Sequence, residues 1–181
     1  MSDDSIHVSV SKRTTGSSSE VELNEDLRPS SIGIIYTSIE ATICALKAAE
    51  ILARDIAPMI QLHAAVSVPQ RISLSQPPIS VPFLRGQLSD MVLTFGSTGY
   101  QYVVHIYLCR NRLDALLSVL RPNSVLVVGG YLHLWPTPES RLARALKAAG
   151  HSVAFIDPRT TWADGLSARW LKFYRRKYST R

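Results

Sequence analysis

The sequence predicts an α/β fold, a three-layer sandwich in which a five-stranded parallel sheet is covered by helices on both faces. Three observations carry this expectation. Short apolar runs alternate with segments of 3.6-residue periodicity, in the order β-α-β-α-β-α-β-α-β. Two of the runs, Ile32–Tyr36 and Val125–Val128, carry no charge and no polar alternation, as strands buried on both faces do. Ser, Thr or Asn precedes the periodic segments, and glycine or proline follows them, as helix caps require.

Taken in order, residues 1–31 are rich in Ser, Thr, Asp and Glu around Gly16-Ser17-Ser18-Ser19. They read as a disordered leader, because so little apolar area cannot offset the entropy of ordering. His7-Val8-Ser9-Val10 is the stretch in it that could pair as a strand. The domain spans residues 32–157. It opens with the strand Ile32–Tyr36, and Thr37-Ser38-Ile39-Glu40 reads as a capping box with Thr37 at the N-cap. The helix that follows is expected to bury Ile39, Ile43, Leu46, Ala49, Leu52, Ala53 and Ile56, with Lys47, Glu50 and Arg54 on its solvent side. Met59–Val68 is the second strand. A long Pro/Ser-rich connection from Pro69 to Ser80 leads to a helix over Val81–Phe95, with Leu84, Leu88, Met91, Val92 and Phe95 inward. Gly99–Leu108 is the third strand. Asn111 caps a helix that turns Leu113, Leu116, Leu117 and Leu120 inward. Ser124–Gly130 holds the fourth strand. Thr137, followed by Pro138, caps a helix that buries Leu142, Leu146 and Ala149 and stops at Gly150. His151–Asp157 is the fifth strand.

Composition narrows the class. The apolar fraction of 46% and charged fraction of 19% are those of a soluble globular chain. Cys44 and Cys109 stand far apart, so no disulfide framework or zinc-ligand spacing appears, and a reducing cytoplasm is the expected setting. No secretory leader and no apolar run long enough to span a membrane is visible. The net charge of +6 is local: residues 158–181 alone carry seven Lys or Arg and one Asp. Within that tail Trp162, Leu166, Trp170 and Phe173 lie on one face of a possible helix, with Arg169, Lys172, Arg175, Arg176 and Lys177 around the rest. Such a helix can dock on its own domain, form a homodimer seam, or grip nucleic acid or an acidic partner surface through residues 159–181.

In an open parallel sheet ligands bind beyond the carboxyl ends of the strands, so Gly129-Gly130 after the fourth strand marks the first place to look. Both glycines also suit a simple turn out of a buried strand, and Thr37 and Ser38 are accounted for by capping alone. Trp135 is expected to pack over the sheet end. His133 has no second ligand at metal spacing, and His63 and His105 read as hydrogen-bonded core residues. Cys44 reads as an inert buried thiol, whereas Cys109, between a helix start and Arg110 and Arg112, sits where a thiol pKa is lowered. No Gly-x-Ser-x-Gly elbow, Walker loop or His-Glu-x-x-His occurs, so no nucleophile and base are nominated.

Two stretches, Ile34-Ile35-Tyr36-Thr37-Ser38-Ile39-Glu40 with Ala45-Leu46-Lys47-Ala48-Ala49, and Leu126-Val127-Val128-Gly129-Gly130, resemble the universal stress protein family. The resemblance covers residues 32–157 and implies a sheet of order 3-2-1-4-5, with the turns after strands one and four flanking the switch in strand order. Members that bind ATP carry an acidic residue after strand one, and Gly-x-x-Gly followed about nine residues later by Gly-Ser or Gly-Thr after strand four. Here Thr37 stands at the acidic position, Gly129 matches the first glycine, Leu132 replaces the second, and Leu142 occupies the later position with Ser140 the nearest hydroxyl. The resemblance thus implies a degenerate adenine-nucleotide pocket at Thr37, Ser38, Gly129, Gly130 and Ser140, with ATP held weakly or not at all. The expected function is that of a non-catalytic, cytoplasmic, dimeric regulatory domain of stress response. The alternative is an interaction module working through the basic tail.

Overall fold

The computed structural model describes residues 7–12, 31–54, 59–75 and 77–159, and residues 7–12 as backbone alone. The elements are β1 (His7–Lys12), β2 (Ile32–Ile35), α1 (Ile39–Ala53), β3 (Met59–Ser67), α2 (Val81–Phe95), β4 (Gln101–Cys109), α3 (Arg112–Val119), β5 (Val125–Gly129), α4 (Pro138–Ala148) and β6 (Ser152–Ile156). The strands form one sheet in the order β1-β4-β3-β2-β5-β6. The five from β4 to β6 run parallel, and counted from Ile32 their order is 3-2-1-4-5, as expected. Ile34 pairs with Leu62 on one side and with Val127 on the other, so the first and fourth parallel strands are neighbours.

The sixth strand comes from the expected leader. The segment His7–Val10 does pair, and the strand continues to Lys12, antiparallel to β4 with His7 opposite Tyr107 and Lys12 opposite Tyr102. The rest of the leader up to residue 30, and the expected tail beyond Arg159, lie outside the described residues.

One face of the sheet packs against α1 and α2 through Ile32, Ile34, Leu62, Val104, Ile106 and Val127. The other packs Ile35, Leu126 and Val128 against Ala115 and Leu116 of α3 and Ala143 and Leu146 of α4. Ile34 and Ile35, on successive positions, therefore serve opposite layers, and each is fully buried. Burial of side chains of that size contributes about 1.5–3 kcal/mol apiece, which makes β2 the spine of the molecule.

Several local expectations are corrected. Ser38, not Thr37, caps α1: its Oγ accepts from the Ala41 N–H at 3.3 Å. The Thr37 hydroxyl is drawn away to donate to the Gly129 carbonyl at 2.7 Å. Glu50, expected in solvent, is 7% exposed, because the α2–β4 connection folds over α1 and supplies it with donors. Ile39 overhangs at the first turn of α1 and is exposed, as are Phe95 at the last turn of α2 and Leu117 on the outer side of α3. In α4, Ala143 is buried with Leu146, whereas Ala149 is exposed. Caps at Ser80, Asn111 and Thr137 accept from Phe83, Leu113 and Ser140. Among the described residues no helix is long and apolar enough to cross a membrane.

Candidate functional site

The carboxyl ends of β2 and β5 meet where the strand order switches, and all five predicted site residues stand there or at the start of α4. Contacts within the chain fill the space between them. A Cβ on Gly129 would stand 2.0 Å from the carbonyl oxygen of Ala41, so this glycine lets the first turn of α1 press directly on the end of β5. A Cβ on Gly130 would meet the Glu139 Cβ at 2.8 Å and the Phe155 Cζ at 2.9 Å. The Gly130 N–H donates to the Ile156 carbonyl at 2.9 Å. The hydroxyls are engaged as well. Thr37 Oγ1 bridges β2 to β5 through Gly129, Ser38 Oγ caps α1, and Ser140 Oγ donates to the Thr137 carbonyl at 3.0 Å. The arrangement joins two strands to two helices through close backbone approach.

Beyond Gly130 the chain forms a loop with a fixed base and a projecting tip. At the base, Asp157 is the organiser. Its Oδ2 accepts from the Leu132 N–H at 2.9 Å, its Oδ1 from the Arg159 N–H at 2.9 Å, and the Arg159 guanidinium pairs with it at 3.0 Å. These hydrogen bonds, the Arg159 side chain first among them, bring the Asp157 carboxyl down to about 2. The Arg159 guanidinium also donates to the Leu132 carbonyl and lies 5.4 Å over the Tyr131 ring, whose hydroxyl donates to Glu40. At the tip Leu132, Leu134 and Trp135 are 53%, 102% and 82% exposed. Trp135 therefore does not pack over the sheet end as expected: the ring projects outward because Pro136 and the Thr137 cap turn the chain straight into α4.

Neither cysteine sits in an activated setting. Cys109 is buried with its Sγ 3.5 Å from the Val66 carbonyl. The guanidinium of Arg110 is directed at the carbonyls of Val68, Pro69 and Ile72, and that of Arg112 at Tyr36. Arg110 thereby anchors the start of the long Pro/Ser connection. Burial raises the Cys44 thiol.

Two polar clusters went unread in the sequence. The first surrounds Glu50 on α1. Its Oε1 accepts from the Ser97 N–H and the Tyr102 hydroxyl, each at 2.7 Å, and its Oε2 from the Ser97 hydroxyl at 2.7 Å and from Lys47 Nζ at 3.4 Å. Burial alone would raise this carboxyl, but the bonds from Ser97 and Tyr102 and the Lys47 charge outweigh it and hold the group below its ordinary value. The Tyr102 hydroxyl is raised by the same burial and by its bond to Glu50. The second lies on the α3 face of the sheet, where His63, His105 and Tyr107 stack. The two imidazoles are 5.1 Å apart and 15° from parallel, and His63 Nδ1 is 3.2 Å from the Tyr107 hydroxyl. The expected hydrogen bonding of a core histidine is present at His63. A cavity of about 260 Å³ opens beside these rings. The signal for it was the pair of histidines in register on adjacent strands, which only the sheet topology reveals.

Comparison of this chain with family models, with curated proteins and with solved structures finds no match.

Proposed function

We propose that this protein is a non-catalytic regulatory domain of the universal stress protein type, in which the place of the adenine nucleotide has been taken over by contacts of the chain with itself. The observation that carries the reading is the Thr37 hydroxyl donating to the Gly129 carbonyl at 2.7 Å while Gly129 abuts the Ala41 carbonyl. A phosphate at this place needs bare N–H groups and free hydroxyls. Here the hydroxyls of Thr37, Ser38 and Ser140 already bond to the backbone. The parallel sheet of order 3-2-1-4-5 supports the kinship, although a fold by itself does not assign an activity.

The test is calorimetric titration of the full chain with Mg·ATP, beside thermal unfolding in its presence. The expected result is no saturable heat and no rise in Tm at millimolar nucleotide. One-to-one binding in the micromolar range, abolished by Ser140→Leu with an unchanged circular dichroism spectrum, would overturn the reading and restore ATP as cofactor.

A second reading rests on the charge of residues 158–181, with seven basic side chains against one acid. Here the protein is an interaction module whose tail holds nucleic acid or an acidic partner. Replacing Arg175, Arg176 and Lys177 together by Gln should then weaken binding to single- or double-stranded nucleic acid and flatten its salt dependence. Equal, weak binding by both proteins removes this reading. Homodimerisation is a further part of the first proposal, checked by sedimentation equilibrium of the full chain.

A further inference from the structure

A single exposed apolar side chain is ordinary, whereas a group of them on one projection marks a contact surface. The loop after β5 carries such a group. From Tyr131 to Pro136 it has no acidic side chain, and Leu132, Leu134 and Trp135 stand exposed at its tip, Leu134 completely. The root of the loop is fixed. The Leu132 N–H donates to Asp157 and the Leu132 carbonyl accepts from the Arg159 guanidinium, so both backbone groups of that residue are held. Tyr131 is held as well, by its hydroxyl on Glu40 and by the guanidinium over its ring. Ile39, next to Glu40 in the first turn of α1, is exposed at the same end of the sheet.

We propose that this tip inserts into an anionic lipid bilayer, and that the protein binds one membrane face through the 131–136 loop together with its basic tail. Shape argues for insertion. Side chains as exposed as Leu134 and Trp135 project from the surface, so they enter an apolar phase and do not receive a ligand. An indole has an apolar body and one N–H donor, which suits it to the level between acyl chains and headgroups. Two leucines on either side of His133 supply aliphatic surface to go deeper. A nucleic acid could stack a base on Trp135, but its phosphates and base edges offer no apolar phase to Leu132 and Leu134.

Charge argues for anionic lipid. The basic tail leaves the domain where the loop is rooted, at Arg159, and residues 158–181 carry seven Lys or Arg against one Asp. A shallow apolar anchor alone binds a bilayer only marginally, and a polybasic segment beside it supplies the second signal that stable attachment needs. The carboxylates near the tip do not oppose this. Asp157 is paired with Arg159, Glu40 accepts the Tyr131 hydroxyl, and Glu139 lies in the first turn of α4, where the helix N-terminus offsets its charge. The proposal rests on the tail charge of the second reading above, and what it adds is the tip.

The experiment sediments the full chain with vesicles of phosphatidylcholine alone, or of phosphatidylcholine mixed with phosphatidylglycerol, at about 0.1 M salt. The mixed vesicles should be bound, and the neutral ones at least about tenfold more weakly. Leu134→Ser combined with Trp135→Ser should weaken binding to the mixed vesicles at least about tenfold, with circular dichroism and Tm unchanged because both side chains are exposed. Insertion is read from Trp135 itself. With Trp162→Phe and Trp170→Phe it is the sole tryptophan, and its emission should move to the blue on mixed vesicles and be quenched by lipids brominated in the acyl chain. Binding to single-stranded nucleic acid, measured beside this, should be equal for the parent and the tip variant, so the vesicle result and the tail reading are judged separately. The proposal is overturned if the mixed vesicles are not bound, if the tip variant binds them as tightly as the parent, or if Trp135 emission stays in place. It is equally overturned if the tip substitutions weaken nucleic-acid binding as much as vesicle binding.

Discussion

Replacing Glu50 by Gln separates a buried structural carboxylate from the solvated helix charge that its spacing in the sequence suggests. The amide keeps the size and one acceptor. With its oxygen in the place of Oε1, the bonds from the Ser97 N–H and the Tyr102 hydroxyl are kept but lose their charge assistance. The amide nitrogen then faces Lys47 Nζ, donor against donor, and the Ser97 hydroxyl must reverse to accept. Charged hydrogen bonds contribute about 1.5–3 kcal/mol and neutral ones about 0.5–1.5, so two conversions cost about 2 kcal/mol. The Lys47 pair, with a half-exposed ammonium, adds no more than about 0.5 kcal/mol. Urea unfolding at neutral pH, followed by far-ultraviolet circular dichroism, should therefore place Glu50→Gln about 2 kcal/mol below the parent. The pH dependence has a definite sign. The carboxyl is depressed in the folded state, so its contribution is complete above the unfolded value and is lost as pH falls through the lower, folded value. The gap between parent and variant should accordingly narrow on acidification below about pH 4.3. A variant within about 0.5 kcal/mol of the parent at neutral pH, or a gap that does not change with pH, would refute the reasoning.

Other substitutions probe the remaining features. Gly129→Ala should cost at least about 3 kcal/mol or prevent folding, because the new methyl meets the backbone of Ala41, not a movable side chain. Gly86→Ala, in α2 with nothing within 4 Å of the added carbon, should stabilise by about 0.5–1 kcal/mol in the same thermal or urea assay. Asp157→Asn should loosen the base of the 131–136 loop and cost about 1–2 kcal/mol at neutral pH. Because the parent carboxyl is held down to about 2, that difference should persist to about pH 4 and disappear as pH falls toward 2. Leu134→Ser, at a fully exposed tip, should change stability by less than about 0.5 kcal/mol.

What the sequence discloses follows from which interactions are local. The runs Ile32–Ile35 and Val125–Gly129 declare themselves as strands because burial on both faces removes polar residues from a short window, and both are buried throughout. Helix starts at Asn111 and Thr137 are legible because a cap bonds two or three residues ahead. Thr37 is the exception that shows the limit. Two adjacent hydroxyl residues both suit the cap, and the choice is decided by Gly129, 92 residues away. Glu50 fails for the same reason: its partners Ser97 and Tyr102 come from another connection, so helical periodicity sees only a charged residue at a polar spacing. β1 was hard to see because a short strand at a sheet edge needs a single partner, and the pattern Val8-Ser9-Val10 is too brief to stand out from a polar leader.

The two ends of the sheet differ in a way that bears on function. At the carboxyl end, where open sheets ordinarily receive ligands, glycines are present but a helix turn and side chains fill what they vacate. At the amino end of the same strands, on the α3 face, the helix is too short and the strands beneath it carry imidazole, phenol and amide groups. Close packing penalises voids, and a polar lining adds a desolvation cost that an apolar one would avoid. Replacing His105 by Leu tests whether that arrangement is merely tolerated. If the cluster only completes the core, the apolar residue should equal or raise stability in urea. A variant that loses stability by more than about 2 kcal/mol would show instead that the stacked rings are themselves part of what holds β3 to β4.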